Sequence, residues 1–331
     1  MVAKKIKVFL QWAVALAVGF CIVNLLCMGY ERLVGWIETP NGPSPAHWNP
    51  GTILVHGTEG YGITKIDQNG YINPDGTLED SHILCMGSSH TQGKELPSGK
   101  NYTALLNTHF AAGEGSLAAY NIACDGNFLP SLIKHFPAAV EAFPNASAIT
   151  IEISNTDISV EELEYALEQA EYVQDQTAQL GLVSKLKMLI KEYFPLLNLI
   201  KSKLETAASA APAGAEAVSQ DAAALLREAL ELIRSQYDGE IIFIYHQQTG
   251  IAQDGTIVFD EDRLFDVFAQ ACQDNGIRLL DMRPVFVEYY NLHQELPYGF
   301  ANTRPGNGHL NKLGHRLIAE ALIPYLEEAM A

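Results

Sequence analysis

Cysteine is scarce in this 331-residue chain: there are five, and Cys21 and Cys27 fall within an apolar N-terminal run. Of the other three, Cys85 and Cys124 stand in strand-like apolar stretches, where a thiol behaves as a small hydrophobe. No CxxC pair and no Cys/His cluster is present, so a zinc site is not indicated, and the expectation is neither metal nor cofactor. Cations are also few, 21 Lys+Arg against 39 Asp+Glu, for a net charge of −18. So anionic a chain lacks the charge to meet phosphates, which sets nucleic acid aside as a partner. Charged residues make up only 18% and apolar ones 48%, enough for a sizeable core and too apolar for wholesale disorder. The length suits one large domain or two small ones.

The charge is unevenly placed. Through Leu33, Lys4, Lys5, Lys7 and Arg32 face only Glu31, a net +3, so the −18 total leaves −21 on the remainder. Val8 to Met28 (VFLQWAVALAVGFCIVNLLCM) carries no formal charge over 21 residues. At ~1.5 Å per residue that run is about 30 Å long, the thickness of a bilayer's hydrocarbon core. Lysines precede it, which by the positive-inside rule keeps the N-terminus cytoplasmic and sends the body outside; Trp12, Tyr30 and Trp36 suit the interfaces. A cleaved signal peptide is the competing reading, but its apolar region is usually ~7–15 residues, and Leu25-Leu26-Cys27-Met28 offers no small-x-small cleavage site. The expectation is a single-pass membrane protein held through residues 8–28, with 1–36 as cytoplasmic stub and anchor.

Residues 37–79, rich in Pro, Gly and Asn, read as a linker and entry segment with a small hairpin or surface loop after residue 58. From residue 80 onward short apolar runs alternate with helical patterns. Strands are expected at Ile83–Met86, Leu117–Ala123, Ala148–Ile153, Ile241–Tyr245 and Arg278–Leu280. Helices are expected at 100–110, 129–143, 261–275 and 311–329. That alternation predicts an α/β fold, a three-layer α/β/α sandwich with a central parallel sheet, within a domain of residues 80–331. The order is interrupted at about 159–236 by a helical insertion. It contains a lysine-rich helix over 182–204, read as a cap helix packing its apolar face on the core in preference to a helix lying on an anionic membrane. It also contains a low-complexity stretch at 207–224 expected to be mobile.

In an open parallel sheet, functional groups gather at the carboxyl ends of strands. There the sequence reads ILCMGSSHTQG, YNIACDGNF and ITIEISNTD, and near the C-terminus GNGHLNKLGH. In this order the blocks resemble those of the SGNH/GDSL hydrolase family, over residues ~80–160 and ~240–330. Ser89 takes the nucleophile position, with Ser88 where the family has Asp. Gly126 and Asn155 match the oxyanion-hole glycine and asparagine, Ala123 standing in place of an earlier glycine. His309 takes the position of the catalytic base, and His315 reads as structural. The resemblance implies an SGNH-hydrolase-like, flavodoxin-like sheet and catalytic Ser89 and His309. It also implies an oxyanion hole from the N–H groups of Ser89 and Gly126 and the amide of Asn155. Each block alone is weak; the four in order are specific.

Those residue types suit acyl chemistry. A serine hydroxyl attacks a carbonyl only when an imidazole takes its proton, and the tetrahedral oxyanion needs preorganised donors. One departure stands out: the family's Asp shortly before the catalytic His is missing, and Gly306 and Asn307 occupy its place. Asn307 is the candidate for orienting His309, and Asp281 an acid that nothing in the sequence places. His90 and His246 read as hydrogen-bonded loop residues. The function these features predict is an extracytoplasmic, membrane-anchored serine ester hydrolase acting through an acyl-serine on O-acyl groups of cell-envelope carbohydrate. The alternatives are an O-acyltransferase on the same substrates, a lipid esterase at the membrane surface, and a non-catalytic glycan-binding protein.

Overall fold

The apolar runs pair into one five-stranded parallel sheet. The computed structural model describes residues 2–73, 81–110, 118–170, 182–206 and 220–329. Its elements begin with α1 (Val2–Tyr30), β1 (Trp36–Glu38), β2 (Ala46–Trp48), β3 (Ile53–His56), β4 (Gly62–Lys65) and β5 (Ser81–Met86). Next come α2 (Ser89–Gln92), α3 (Tyr102–Phe110), β6 (Ala118–Asn121), α4 (Leu129–Ala142), β7 (Ala148–Ile153) and α5 (Val160–Ala170). The helices α6 (Leu182–Tyr193), α7 (Pro195–Thr206) and α8 (Gln220–Gln236) precede β8 (Glu240–Tyr245), β9 (Gly250–Ile251) and β10 (Ile257–Val258). The chain closes with α9 (Phe265–Asp274), β11 (Arg278–Asp281), α10 (Arg283–His293) and α11 (Lys312–Ala329).

The sheet order is β11-β8-β7-β5-β6. Side chains alternate across it as the period of two requires. Leu84, Met86, Ile149, Ile151, Ile153, Ile241, Phe243 and Tyr245 meet α4, α5, α8 and α9 on one face. Ile83, Cys85, Ala148, Ile242 and Ile244 meet α3, α10 and α11 on the other. Burial on both faces is why these strands are almost wholly apolar. The chain leaves β5 to pair β6 on one side and returns to pair β7 on the other, so the connections diverge above β5. A crevice at such a point, outside the carboxyl ends of the strands, is where open α/β sheets bind ligands.

Within the 37–79 segment, residues 37–73 are described and are more ordered than a linker. Together with the residues just before them they form the antiparallel pairs β1–β2 and β3–β4, and Val34, Trp48, Leu54, Ile66 and Ile72 make a small core of their own. Its Pro, Gly and Asn residues mark turns between short strands, a composition that a linker shares.

The insertion also differs from expectation. Pro195 lacks the N–H a continuing helix requires, and the lysine-rich stretch divides there into α6 and α7. Among its described side chains, Leu186, Leu189, Tyr193, Leu197 and Ile200 are exposed and not packed on the core. Residues 207–219 of the low-complexity stretch lie outside the described residues, and 220–224 already belong to α8.

Among the described residues one helix, spanning Lys4–Tyr30, is long and apolar enough to cross a membrane. Its apolar side chains are exposed all round, Leu16 at 71% and Leu26 at 72%, unlike those of a core helix.

Phe243 is fully buried and meets the Phe268 ring edge-on at 5.0 Å. Phe243→Ala is expected to lower unfolding stability by about 3–5 kcal/mol. Lys65→Ala, on the exposed face of β4, should change it by less than about 0.5 kcal/mol; denaturant titration checks both.

Candidate active site

β5 delivers the chain to Gly87 and a sharp turn into α2. Ser88 caps α2, accepting from the His90 N–H, and Ser89 is its first residue, 8% exposed. A Cβ at Gly87 would lie 2.4 Å from Thr91 Oγ1 and 2.7 Å from Glu152 Oε2, so only glycine leaves this turn room to pack against β7. Glu152 is the cause of that crowding. Alternation places it on the α3/α11 face of β7, fully buried, where an unpaired carboxylate would be prohibitively costly. It is met instead by the Ser88 N–H at 2.8 Å, the Ser88 hydroxyl at 2.9 Å and the Thr91 hydroxyl at 3.1 Å. His246 Nε2 stands 3.0 Å from its second oxygen, within ion-pair distance though outside hydrogen-bond alignment. Burial pushes the Glu152 pKa up, but His246 and the surrounding donors outweigh it and hold it at about 2.

Above this buried layer the reactive side chains meet. Ser89 Oγ lies 2.8 Å from His309 Nε2. The other ring nitrogen, Nδ1, lies 2.7 Å from Glu59 Oε2, and the same carboxylate accepts the His309 backbone N–H at 2.6 Å through Oε1. Gly308 allows that approach: its φ is +95°, and a Cβ there would sit 2.1 Å from Glu59 Oε1. Serine, imidazole and carboxylate are therefore hydrogen-bonded in series. Asn307, which the sequence offers for orienting the ring, is exposed; its backbone N–H donates to the Arg304 carbonyl, and Glu59 holds the Nδ1 position in its place. Asp281 is engaged by the Arg283 guanidinium at the end of β11.

Two carboxylates flank His309 Nδ1 and their pKa values diverge. For Glu59, burial favours the neutral form, but the side-chain and backbone hydrogen bonds of His309 outweigh it and lower the pKa. Glu95, 3.6 Å from Nδ1 and 1% exposed, has its pKa raised because burial prevails over His309, Lys94 and His56. Environment thus selects Glu59 as the anion. For His309, burial opposes the charge, yet the Glu59 hydrogen bond and the two carboxylates raise its pKa above 6.5.

The other predicted positions surround the crevice. Gly126 lies on the exposed turn after β6 with φ +76°. That turn is drawn to α2 by the Lys94–Asp125 ion pair, by Asn121 Nδ2 donating to the Thr91 carbonyl, and by the Cys124 N–H donating to the Gly87 carbonyl. Asn155 is exposed beyond β7, and its Oδ1 accepts the Asp157 N–H at 2.8 Å, which leaves its NH₂ group as donor. His90 packs between the rings of His246 and His309 at centroid distances of 4.9 and 5.1 Å, and its Nδ1 accepts the Leu310 N–H. His246 bonds the Tyr298 hydroxyl, and His315 Nδ1 accepts the Tyr102 N–H at 3.1 Å.

The acid loop is itself clamped from two directions. Glu31, directly after α1, accepts the N–H groups of Gly57 and Thr58 at 2.9 and 3.2 Å and meets His56 Nδ1 at 3.0 Å. Asn302 holds the loop from the other side, its Oδ1 accepting the Gly60 N–H and its Nδ2 donating to the Gly57 and Gly60 carbonyls. Sequence reasoning missed Glu59, Glu31 and Glu152. Only Glu152 left a clear signal, a lone acid within the apolar strand ITIEIS.

Comparison with known proteins found no matching family model and no matching curated protein. Solved structures do match in chain course. One is titled a lipase/acylhydrolase from Enterococcus faecalis: 13% identity, TM-score 0.43, covering 75% of this chain and 96% of that one. Another is an acetyl xylan esterase, at 14% identity and TM-score 0.42 over 74% and 98%. A third is a member of the lipolytic protein G-D-S-L family from Veillonella parvula, at 16% and 0.38 over 74% and 97%. At identities and scores this low, the chemistry follows from this chain's own side chains.

Glu31→Ala removes the acceptor for two loop amides. Hydrogen bonds to charged groups contribute about 1.5–3 kcal/mol, so amide exchange at Gly57 and Thr58 should speed up by roughly 10- to 100-fold. Acid should destabilise the buried layer. Burial lowers the pKa of His90 well below 6.5 and that of His315 to about 3, so both bind protons more weakly folded than unfolded. The stability they contribute is present above pH 6.5 and lost as the pH falls below it. Glu152 acts in the same sense below pH 4.5, while His309, with its raised pKa, opposes them near neutrality. Unfolding is therefore expected to take up protons below about pH 6, measured by denaturant midpoints across pH.

Proposed function

We propose that this chain is a membrane-anchored serine ester hydrolase whose body faces outward, acting through an acyl-serine on O-acyl groups of cell-envelope carbohydrate. The observation that carries the reading is the hydrogen-bonded series Ser89–His309–Glu59, at 2.8 and 2.7 Å. Neutral His309 takes the Ser89 proton at Nε2 as Oγ bonds the carbonyl carbon. Glu59 fixes the tautomer with the Nδ1 proton and stabilises the imidazolium that forms. The adduct's oxyanion is held by the Ser89 N–H, which as the first of α2 has no intrahelical partner, by the Gly126 N–H and by the Asn155 NH₂. Collapse breaks the ester C–O bond as the imidazolium returns the proton to the departing alcohol. Water, activated by the same imidazole, then releases the acid.

The outward body rests on α1 as an uncleaved anchor with lysines on its inner side, and envelope carbohydrate is the substrate that location supplies. A cavity of about 990 Å³ favours a second reading, a membrane-lipid ester. It runs from Tyr30, the last residue of α1, past Tyr61, Leu96 and Phe300 to Glu95 and Gly299 beside His309. A preference for long-chain over acetyl esters would decide for the lipid.

A fluorophosphonate probe is expected to label wild-type protein at Ser89 and to leave Ser89→Ala unlabelled; unlabelled wild type would overturn the proposal. Hydrolysis of p-nitrophenyl acetate should fall by about 10⁴ or more in Ser89→Ala and His309→Ala, and by roughly 10²–10³ in Asn155→Ala. Because the base must be neutral, activity should rise with pH through the His309 pKa, above 6.5. Glu59→Gln removes the paired anion and should move that acid limb to lower pH.

A further inference from the structure

We propose that α6 and α7 form a broken hairpin that inserts into the outer leaflet beside α1, with an anionic lipid bilayer as its partner. The inference rests on α1 being a membrane span and adds a second membrane-contacting element to it.

The first observation is where the hairpin touches the anchor. Phe194, between α6 and α7, stacks on Phe20 of α1 at a centroid distance of 6.2 Å. Asn24 Nδ2 donates to the Tyr193 carbonyl at 2.6 Å, and Asn24 Oδ1 accepts the Leu196 N–H at 3.3 Å. Asn24 and Phe20 precede Tyr30, the end of α1, by six and ten residues. At ~1.5 Å per residue they lie about 9 and 15 Å along the helix from its outer end, below the headgroups of a bilayer that α1 spans.

The second observation is how the helix break is sealed. Pro195 ends α6 and leaves backbone groups without helical partners. Water would satisfy them on a soluble surface, but hydrocarbon cannot, and non-helical backbone at membrane depth must find protein partners. Asn24 provides them, meeting a carbonyl from one helix and an N–H from the other. A polar residue in the anchor is thereby 7% exposed, while its neighbours Leu25 and Leu26 are 66% and 72% exposed.

The third is the unpartnered face. Leu186, Leu189, Ile190, Tyr193, Leu197 and Ile200 recur at intervals of three and four, all 40–56% exposed. Residues 182–206 carry five lysines against two glutamates, net +3 in a chain of −18, complementary to anionic headgroups. Glu192, one of those acids, is buried and paired with Arg32 at 2.9 Å, away from that face. Apolar residues flanked by lysines are the composition of helices that lie in a membrane interface.

The test uses the full chain in vesicles of mixed phosphatidylcholine and phosphatidylglycerol. In unmodified protein, a lipid-partitioning diazirine should label peptides covering 186–200 as well as α1. Labelling of α1 alone would overturn the hairpin proposal and leave the anchor standing; labelling of neither would overturn both. Nitroxides placed singly by Leu189→Cys, Leu197→Cys, Val14→Cys and Lys65→Cys, in a Cys21→Ser/Cys27→Ser background, give depth independently. Positions 189 and 197 should match position 14 in their ratio of oxygen to aqueous-nickel accessibility, with position 65 open to nickel. Nickel access at 189 and 197 with oxygen preference at 14 overturns the hairpin alone. Shielding of 189 and 197 from both reagents assigns the face to a protein partner and overturns the lipid assignment.

Discussion

The contact between Glu59 and His309 joins residues 250 positions apart, and the conformational entropy of closing so long a connection has to be met by everything packed around it. One carboxylate accepts both the imidazole Nδ1–H and the backbone N–H of His309. It therefore fixes ring orientation and loop position together. The small core of residues 34–72 keeps its loop compact, Asn302 bridges that loop to the segment before His309, and Gly308 gives the carboxylate room. Loss of any one support would disturb the distance between Ser89 and His309.

Beneath Ser89 and His309 lies a second polar layer. Glu152 binds the Ser88 turn and faces His246, which bonds Tyr298, while His90 is packed among the rings. Buried hydrogen bonds in a low-dielectric interior rigidify their surroundings. The turn that bears Ser89 thus gains a charged foundation. Its donors and His246 hold Glu152 ionised against burial, while burial keeps His90 neutral, so this layer is ordered by one anion and its donors.

Much of this arrangement could be read from the chain. Runs dominated by apolar residues revealed β5, β7 and β8, because burial on both faces leaves few polar positions in them. Local motifs located Ser89 and His309, since the turn after β5 and the entry to α11 are written in neighbouring residues. Glu59 escaped because its function depends on a contact with no local signature. Gly-Thr-Glu-Gly is an ordinary loop until a distant histidine is folded against it, and Asn307 seemed the nearer candidate only because sequence distance stood in for spatial distance. The exposed stripe of α6 and α7 misled for a related reason: an apolar helix face shows that burial is wanted without showing whether protein or lipid supplies it.

Glu31 ties these themes together. It is the first residue past α1, and it is nearly inaccessible because its carboxylate is enclosed by the loop that bears Glu59. The end of α1 and the Glu59 loop are therefore a single mechanical unit. A chain cut beyond Glu31, for instance at residue 38, would lose the carboxylate that gathers the Gly57 and Thr58 amides. The position of Glu59 against His309 thus depends on a residue that belongs, in sequence, to the N-terminal helix.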